Sequence, residues 1–167
     1  AMHWLVYRSD DGGDSWTNVD DFVLSPDYPS IPTAATADSL GNIYVGGYAY
    51  SYSPPGQLKP VMRRSTDGGQ TWTTLNLPTY AGPEALATTP HGLFAVGSTD
   101  NVWKVWRSTN NGTTWSTVNT FQLGSGTTAR GIAADASGNL FVVGDARYDS
   151  APTRWIVRRS TNGGTSW

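Results

Sequence analysis

The strongest constraint on this chain is a nine-residue motif that occurs four times along its 167 residues. The motif reads R-S-x-[DN]-x-G-x-[ST]-W, and its copies occupy residues 8–16, 64–72, 107–115 and 159–167. The motif serines are 56, 43 and 52 residues apart. Repeats of this length are typical of units that contain four short strands. The sequence therefore predicts a fold assembled from similar units that pack side by side.

A second repeated segment lies between the motifs. Small residues lead into a glycine turn, an apolar run and another glycine at residues 37–47, 88–97 and 134–144. This pattern is typical of a hairpin. Lys occurs twice and Glu once, whereas Gly and Pro number 19 and 10, which argues against helices. We therefore predict an all-β chain whose units are β-propeller blades of four antiparallel strands, A to D.

Strand C of each unit leads into the motif and has a repeated apolar face. Five residues before the motif serine the chain has Trp4, Pro60, Trp103 and Trp155, and three residues before it Val6, Met62, Val105 and Val157. Alternate residues of a strand share one face of the sheet. We call the sheet face that carries these positions the Trp face, and we predict that it packs between neighbouring blades.

The motif itself has the composition of a tight turn between strands C and D. Its glycine suits a positive φ, its Asp or Asn side chain accepts backbone N–H bonds, and its Trp buries a large apolar area. Asn replaces Asp in two copies, which keeps the acceptor and removes the charge. Such a change would impair a metal ligand or an acid catalyst but not a turn. The residues assigned this structural role are Ser9, Asp11, Gly13, Trp16, Ser65, Asp67, Gly69, Trp72, Ser108, Asn110, Gly112, Trp115, Ser160, Asn162, Gly164 and Trp167.

These segments resemble the Asp-box, or bacterial neuraminidase repeat, of sialidases, xyloglucan-cleaving glycosidases, sortilin-type receptors and photosystem assembly factors. The resemblance covers the chain through both repeated segments. It implies a sialidase-like β-propeller in which each box joins the third and fourth strands of a blade, on the face away from any active site. It also implies a secreted or cell-surface bacterial parent protein.

Catalytic residues of such enzymes have few counterparts in this sequence. The resemblance would require an arginine triad that starts with an Arg-Ile-Pro-like motif before the first box, and residues 1–7 contain none. Glu84 is the one Glu in the chain, and with Tyr80 it could imitate a nucleophile pair. A glycosidase needs two facing carboxylates, and the loop residues that could supply them are Asp27, Asp100, Asp145 and Asp149. We therefore predict no enzymatic activity, with a glycoside hydrolase fragment as the alternative.

The loops opposite the boxes could bind a ligand. Tyrosines next to Asp and Arg suit sugar or peptide binding, so a lectin-like carbohydrate binder is a further alternative. The candidate binding residues are Tyr48, Tyr50, Tyr52, Tyr80, Glu84, Arg130, Arg147 and Tyr148. The structural interpretation is that the three tyrosines at 48, 50 and 52 continue the exposed face of strand B or fill loop packing.

Charge and residue counts exclude several other classes of function. The net charge is −2 without a basic run, which argues against nucleic acid, and no apolar stretch approaches twenty residues, which argues against a membrane span. The chain has no Cys, and its two histidines, His3 and His91, are not spaced as metal ligands. We expect no metal and no cofactor.

The predicted strands do not close a ring. They divide a single partial propeller domain into residues 1–32 with strands C and D, 33–82 and 83–128 with four strands each, and 129–167 without strand D. This gives about three and a half blades, whereas propellers contain about four to eight. A fragment of a longer propeller, a recombined half-propeller and an assembly of copies all fit this count. We expect two copies to assemble into a homodimer with six blades, although other ring sizes remain open. The expected function is that of a non-catalytic structural or binding scaffold.

Overall fold

The computed structural model describes residues 2–51, 57–77 and 82–167. These residues form thirteen strands and no helix. The strands are β1 (Trp4–Arg8), β2 (Thr17–Phe22), β3 (Ser30–Ala37), β4 (Ile43–Ser51), β5 (Gln57–Ser65), β6 (Thr73–Asn76), β7 (Ala85–Thr89), β8 (Gly92–Thr99), β9 (Val102–Ser108), β10 (Ser116–Phe121), β11 (Gly126–Ala134), β12 (Leu140–Arg147) and β13 (Arg154–Ser160). Within the described part of the chain there is thus no helix that could cross a membrane.

The strands form four antiparallel sheets in chain order. Sheet 1 contains β1 and β2, sheet 2 contains β3 to β6, sheet 3 contains β7 to β10, and sheet 4 contains β11 to β13. Successive first strands lie against one another, β7 between β3 and β11. The predicted all-β class and the antiparallel sheets are confirmed. The number of blades in a closed ring and the completion of the ring stay predictions.

In sheets 2 and 4, the turn between the first two strands is held by an Asp–Asn pair. Asp38 accepts hydrogen bonds from the backbone nitrogen and the side-chain Nδ2 of Asn42 at 2.9 and 2.7 Å. Asp135 and Asn139 repeat both bonds at 2.9 and 2.7 Å. These side chains close the hairpin that the second repeated segment predicts. The turn between the first two strands therefore has the same hydrogen bonds in sheets 2 and 4.

The inner hairpins extend further than the sequence predicts. Strand pairing continues past the apolar runs, so that Tyr48 pairs with Pro60 and Ala129 pairs with Gly144. The first strands of sheets 2 and 4 have a bulge opposite a glycine. A Cβ on Gly47 would lie 2.1 Å from the carbonyl oxygen of Ile31, so only glycine fits there. Strand D begins one residue after the motif Trp in the first three sheets, at Thr17, Thr73 and Ser116.

The apolar core lies between successive sheets. Trp4 of sheet 1 packs against Val45 and Val61 of sheet 2. Trp103 of sheet 3 is fully buried and packs against Leu140 of sheet 4. Met62 of sheet 2 packs in the same way on sheet 3. The Trp faces of the first three sheets therefore pack between neighbours, as the strand C pattern predicts.

Sheet 4 departs from this prediction. Trp155 is 93% exposed and Val157 is 68% exposed, although their counterparts Trp103 and Val105 are fully buried. Val143 of the adjacent strand is 42% exposed on the same face. The reason is that no described sheet follows sheet 4, so its Trp face has nothing to pack against.

Candidate functional site

Each motif folds into the same hydrogen-bonded turn, which we call the box turn. In the first box turn, the backbone nitrogen of Gly13 donates to Ser9 Oγ at 2.7 Å. Ser9 Oγ in turn donates to Asp11 Oδ1 at 2.7 Å. Asp11 also accepts from the backbone nitrogen and the hydroxyl of Ser15, at 2.9 and 2.6 Å. The Asp and Ser side chains thus point inward to the backbone of the turn.

The box turns with Asn keep this network with one bond reversed. Asn110 Oδ1 accepts from the backbone nitrogen of Thr114 at 2.8 Å, as an Asp oxygen does. Asn110 Nδ2 donates to the Thr114 hydroxyl at 2.8 Å, whereas in the second box turn the Thr71 hydroxyl donates to Asp67 at 2.5 Å. Asn162 and Ser166 repeat the Asn pattern. The turn therefore needs a hydrogen-bonding side chain at this position, not a negative charge.

The same bonds shift the titration of the two Asp side chains. Hydrogen bonds from the hydroxyl and backbone nitrogen of Thr71, and from Ser65, lower the pKa of Asp67 to about 2. The corresponding donors, Ser15 and Ser9, lower the pKa of Asp11 below its ordinary value. Donors that stabilise the ionised form lower a carboxyl pKa. Both groups are therefore acceptors at neutral pH and hold no proton to donate to a substrate.

The backbone of the box turn has two successive residues at positive φ. Gly13, Gly69, Gly112 and Gly164 have φ of 106°, 93°, 82° and 85°. The residue before each of these glycines is also in the left-handed region. It is Gly in the first, second and fourth box turns, and in the third it is Asn111, with a φ of 57°. The motif Trp closes the turn, since its Nε1 donates to the carbonyl of the motif glycine at 3.0 to 3.1 Å in all four copies.

The motif arginine links each box turn to the next one, which the sequence analysis did not predict. Arg8 Nη1 donates to the carbonyl oxygen of Gly68. Arg64 Nη1 donates to that of Asn111 at 3.0 Å, and Arg107 Nη1 to that of Gly163 at 3.4 Å. The acceptor is each time the residue before the motif glycine. The presence of Arg in all four motifs was the available signal, but its partner lies in another repeat.

Two of the candidate binding tyrosines lie in a strand instead of a loop. Tyr48 and Tyr50 belong to β4, with ring centroids 6.1 Å apart in an edge-to-face arrangement. This position corrects their assignment to an upper loop, because the pairing of β4 with β5 continues through Ser51. Tyr52 and Tyr80 lie outside the described residues. The two tyrosines that are described fit the structural interpretation of strand packing.

The candidate residues of sheet 4 form a small charged cluster. Arg130 Nε donates to Asp145 at 2.9 Å, and Arg147 lies 4.0 Å from the same carboxylate. Arg130 belongs to β11 and Arg147 to β12, so these residues too were assigned to loops incorrectly. The guanidinium of Arg154 lies 5.4 Å from the ring centre of Tyr148. Two arginines can bind a carboxylate or a hydroxyl of a ligand. Here they already bind the carboxylate of Asp145.

The remaining candidate groups join neither the Tyr48–Tyr50 pair nor the charged cluster of sheet 4. Glu84 is exposed just before β7, and its backbone nitrogen bonds to the carbonyl of Val96 at 2.8 Å. Asp27, Asp100 and Asp149 are exposed at separate turns. Among the described residues, no hydrogen bond or ion pair connects any of these carboxylates to Tyr48 or Arg130. The structure therefore places the candidate residues at several sites and does not bring them together into one.

Metal binding has no candidate group in the described ranges. No cluster of three or more His, Cys, Asp or Glu side chains that could hold an ion occurs there. His3 Nδ1 lies 2.5 Å from Asp21 Oδ1 near the first strand, and His91 lies in the turn between β7 and β8. The two histidines thus lie beside different sheets.

Comparison with solved structures identifies the architecture. A protein of unknown function from Dyadobacter fermentans DSM 18053 matches with a TM-score of 0.62 and 16% identity, over 97% of this chain and 56% of that one. An alpha-L-arabinanase of Penicillium chrysogenum, in complex with arabinobiose, matches with a TM-score of 0.60 and 15% identity, over 97% and 56%. YCF48 bound to D1 peptide matches with a TM-score of 0.54 and 18% identity, over 93% and 48%. The chain has a β-propeller-like fold.

This similarity is one of fold. The chain spans about half the length of the solved structures it matches. No protein-family model and no curated protein matches the sequence. A shared propeller architecture occurs with many unrelated activities, so function has to be argued from the residues of this chain.

Proposed function

We propose that this chain is a non-catalytic Asp-box β-propeller module that self-assembles and acts as a structural scaffold. The observation that carries the proposal is the uncovered Trp face of sheet 4. Trp155 is 93% exposed there, whereas Trp4 and Trp103 at the same position of strand C are fully buried by the next sheet. A contiguous apolar face of this kind marks an interaction surface.

The state of the carboxylates supports a scaffold over an enzyme. Asp11 and Asp67 are bound within box turns, Asp38 within a hairpin, and Asp145 by Arg130. A glycoside hydrolase needs a protonated acid and a second carboxylate about 5 to 9.5 Å apart across a cleft. The described carboxylates are instead distributed among turns and ion pairs.

Self-assembly is tested by light scattering over a range of protein concentrations. We expect a mass that is a multiple of the 17.9 kDa chain. Val143→Asp places a charge on the uncovered Trp face and should return the protein to single chains, because a buried unpaired charge is costly. Leu40→Asp, at a position 84% exposed in the turn between β3 and β4, is the matched control and should leave the mass unchanged.

Two results would contradict this function. The wild-type chain could scatter as one 17.9 kDa particle at every concentration, which would remove self-assembly. Turnover of a fluorogenic glycoside would instead favour the hydrolase alternative, provided that it disappears with Asp145→Asn or Glu84→Gln.

A further inference from the structure

The first strand of the chain has one unpaired edge. In the four-stranded sheets, strand C has neighbours on both sides, β5 between β4 and β6 and β9 between β8 and β10. β1 occupies the strand C position of sheet 1 and pairs only with β2 among the described strands. Along its other edge runs a groove of about 300 Å³, lined by Leu5, Tyr7, Ala35 and Val45. This edge and groove could accept a strand B with an apolar Trp face.

Such a strand is present at the other end of the molecule. β12 is a strand B whose Trp face carries Phe141 and Val143, in the sequence positions that Phe94 and Val96 hold in β8. Phe94 and Val96 are fully buried against sheet 4, whereas Val143 is 42% exposed. β12 is therefore a strand of the right type whose Trp face lies uncovered.

The strand now paired with β12 is a close copy of β1. Residues 154–160 read RWIVRRS and residues 3–9 read HWLVYRS, and each segment leads into a box turn. In β13, Ile156 packs on the cluster between sheets 3 and 4, and the Ser160 hydroxyl accepts from Gly164 at 2.9 Å. Leu5 and Ser9 hold the equivalent positions in β1. β1 thus matches β13 at the positions that pack on β12 and lead into the box turn, and it differs at Tyr7, where β13 has Arg158 bonded to Asn119.

We propose, building on the self-assembly above, that β1 of a second copy pairs with β12 in place of β13. The exchange is reciprocal in a two-fold dimer, which is the commonest closed arrangement. Each junction becomes a sheet with the order β11-β12-β1-β2, in which the first two strands come from one copy and the last two from the other. The occupant of the uncovered face is a second copy of this chain.

The exchange covers the apolar face of β12 that stays uncovered when β13 is its neighbour. β13 presents Trp155 and Val157 to solvent, whereas Trp4 stays fully buried in its own copy against sheet 2. With β1 on β12, Phe141 and Val143 enter the groove beside β1. β1 also brings β2, which gives the junction sheet its fourth strand. Retaining β13 offers neither of these gains.

The arginine links between box turns agree with this arrangement. Arg107 of sheet 3 donates to the carbonyl oxygen of Gly163 in the box turn after β13. The equivalent residue after β1 is Gly12, whose carbonyl receives no bond from an arginine of another motif in the described structure. In the exchanged dimer, Arg107 donates to Gly12 of the second copy, and every box turn of the ring then receives one arginine.

The register of the junction follows from the existing pairing of β12. Val143 pairs with Val157 in sheet 4. Because Ser160 corresponds to Ser9, the counterpart of Val157 is Val6, and Val143 is expected opposite Val6 of the second copy. Paired residues of antiparallel strands have Cα atoms about 4.5 to 5.5 Å apart, which allows a disulfide.

Paired cysteines in this chain, which has no Cys of its own, test the exchange. Val6→Cys with Val143→Cys should form an intermolecular disulfide and run as a covalent dimer without reductant. The matched control is Val143→Cys with Val157→Cys, which joins equivalent positions within one chain and should stay unlinked in the dimer fraction. Each single cysteine variant measures the background from random collisions.

The outcomes separate this inference from the proposed function. A dimer in which the Val143–Val157 pair closes within each chain, and in which Trp155→Ser weakens association, would keep self-assembly and overturn the exchange. Under the exchange, Trp155→Ser leaves the association constant unchanged, since Trp155 lies outside the junction. Single chains under all conditions would overturn both.

Discussion

The Asp and Asn side chains of the box turns make equivalent hydrogen bonds with different charges. Asp67 accepts two bonds from Thr71, whereas Asn110 accepts one from Thr114 and donates the other. The neighbouring hydroxyl reverses its role, since a hydroxyl both donates and accepts. The repeated motif therefore tolerates this substitution because the partner residue adapts.

Stability at low pH should depend on how many box turns carry Asp. A carboxyl whose pKa is lower in the folded chain than in the unfolded chain stabilises the fold at pH values above its ordinary pKa, which is 3.8 for Asp67. This stabilisation is lost as the pH falls from 3.8 toward the pKa of about 2 that Asp67 has in the folded chain. We expect Asp67→Asn to reduce the loss of unfolding free energy over this interval, measured by urea denaturation. Asn110→Asp is the converse variant and should enlarge the loss. Equal pH dependence in all three proteins would contradict this.

Roles that depend on one turn could be predicted from the sequence, and roles that depend on a neighbouring repeat could not. The φ of Gly13 and the acceptor function of Asp11 follow from the local motif. The bond from Arg8 to Gly68 spans sixty positions, and nothing local indicates its partner. The ion pair between Arg130 and Asp145 could not be predicted either, because the bulge in β11 sets which residues of β11 and β12 come together.

At the scale of the turn and strand, the left-handed glycines of the box turns differ in how much space surrounds them. Gly12, with φ of 76°, has no atom within 4 Å of an added Cβ, and Asn111 holds the same position in the third turn. A Cβ on Gly112, with φ of 82°, would lie 3.0 Å from the side chain of Leu75 in the neighbouring sheet. Gly12 thus requires only the backbone conformation, whereas Gly112 also requires space. The crowding depends on the neighbouring sheet, since a Cβ on Gly163, at the first position of the fourth turn, would lie 2.7 Å from His91.

Matched substitutions should separate these two requirements. Gly12→Asn should change the unfolding free energy by less than about 0.5 kcal/mol, since Asn tolerates this conformation. Gly112→Ala should cost about 1 to 3 kcal/mol from strain and crowding. Urea denaturation measures both, and equal effects would show that crowding by Leu75 adds nothing to the cost at Gly112.

Strand identity was predictable, but strand length was not. The alternation of Trp103 and Val105 identifies β9, and the apolar run after Asn42 identifies β4. The extension of β4 to Ser51 depends on pairing with β5, where polar residues such as Lys59 continue the ladder. Pairing energy from a neighbouring strand therefore overrides the turn-like composition, which led to the assignment of Tyr48 and Tyr50 to a loop.

At the scale of the whole molecule, the same residue of strand C has opposite environments in sheets 3 and 4. Trp103→Ser should cost about 3 to 5 kcal/mol, because it removes a fully buried aromatic ring from the core between sheets. Trp155→Ser, at a position 93% exposed, should change the unfolding free energy by less than about 0.5 kcal/mol. Chemical denaturation of both variants at low concentration checks this, and a large cost at Trp155 would mean that another surface covers it.

The self-contained box turns have a consequence for how such a chain can change in length. The serine, Asp or Asn, and backbone bonds of each turn close within residues of one motif. A genetic crossover between any two motifs therefore adds or removes a whole number of sheets and leaves every turn intact. After such a crossover, the motif arginine still finds, in the next box turn, the carbonyl oxygen of the residue before the motif glycine. Rings with different numbers of sheets can therefore arise from one gene by misaligned recombination.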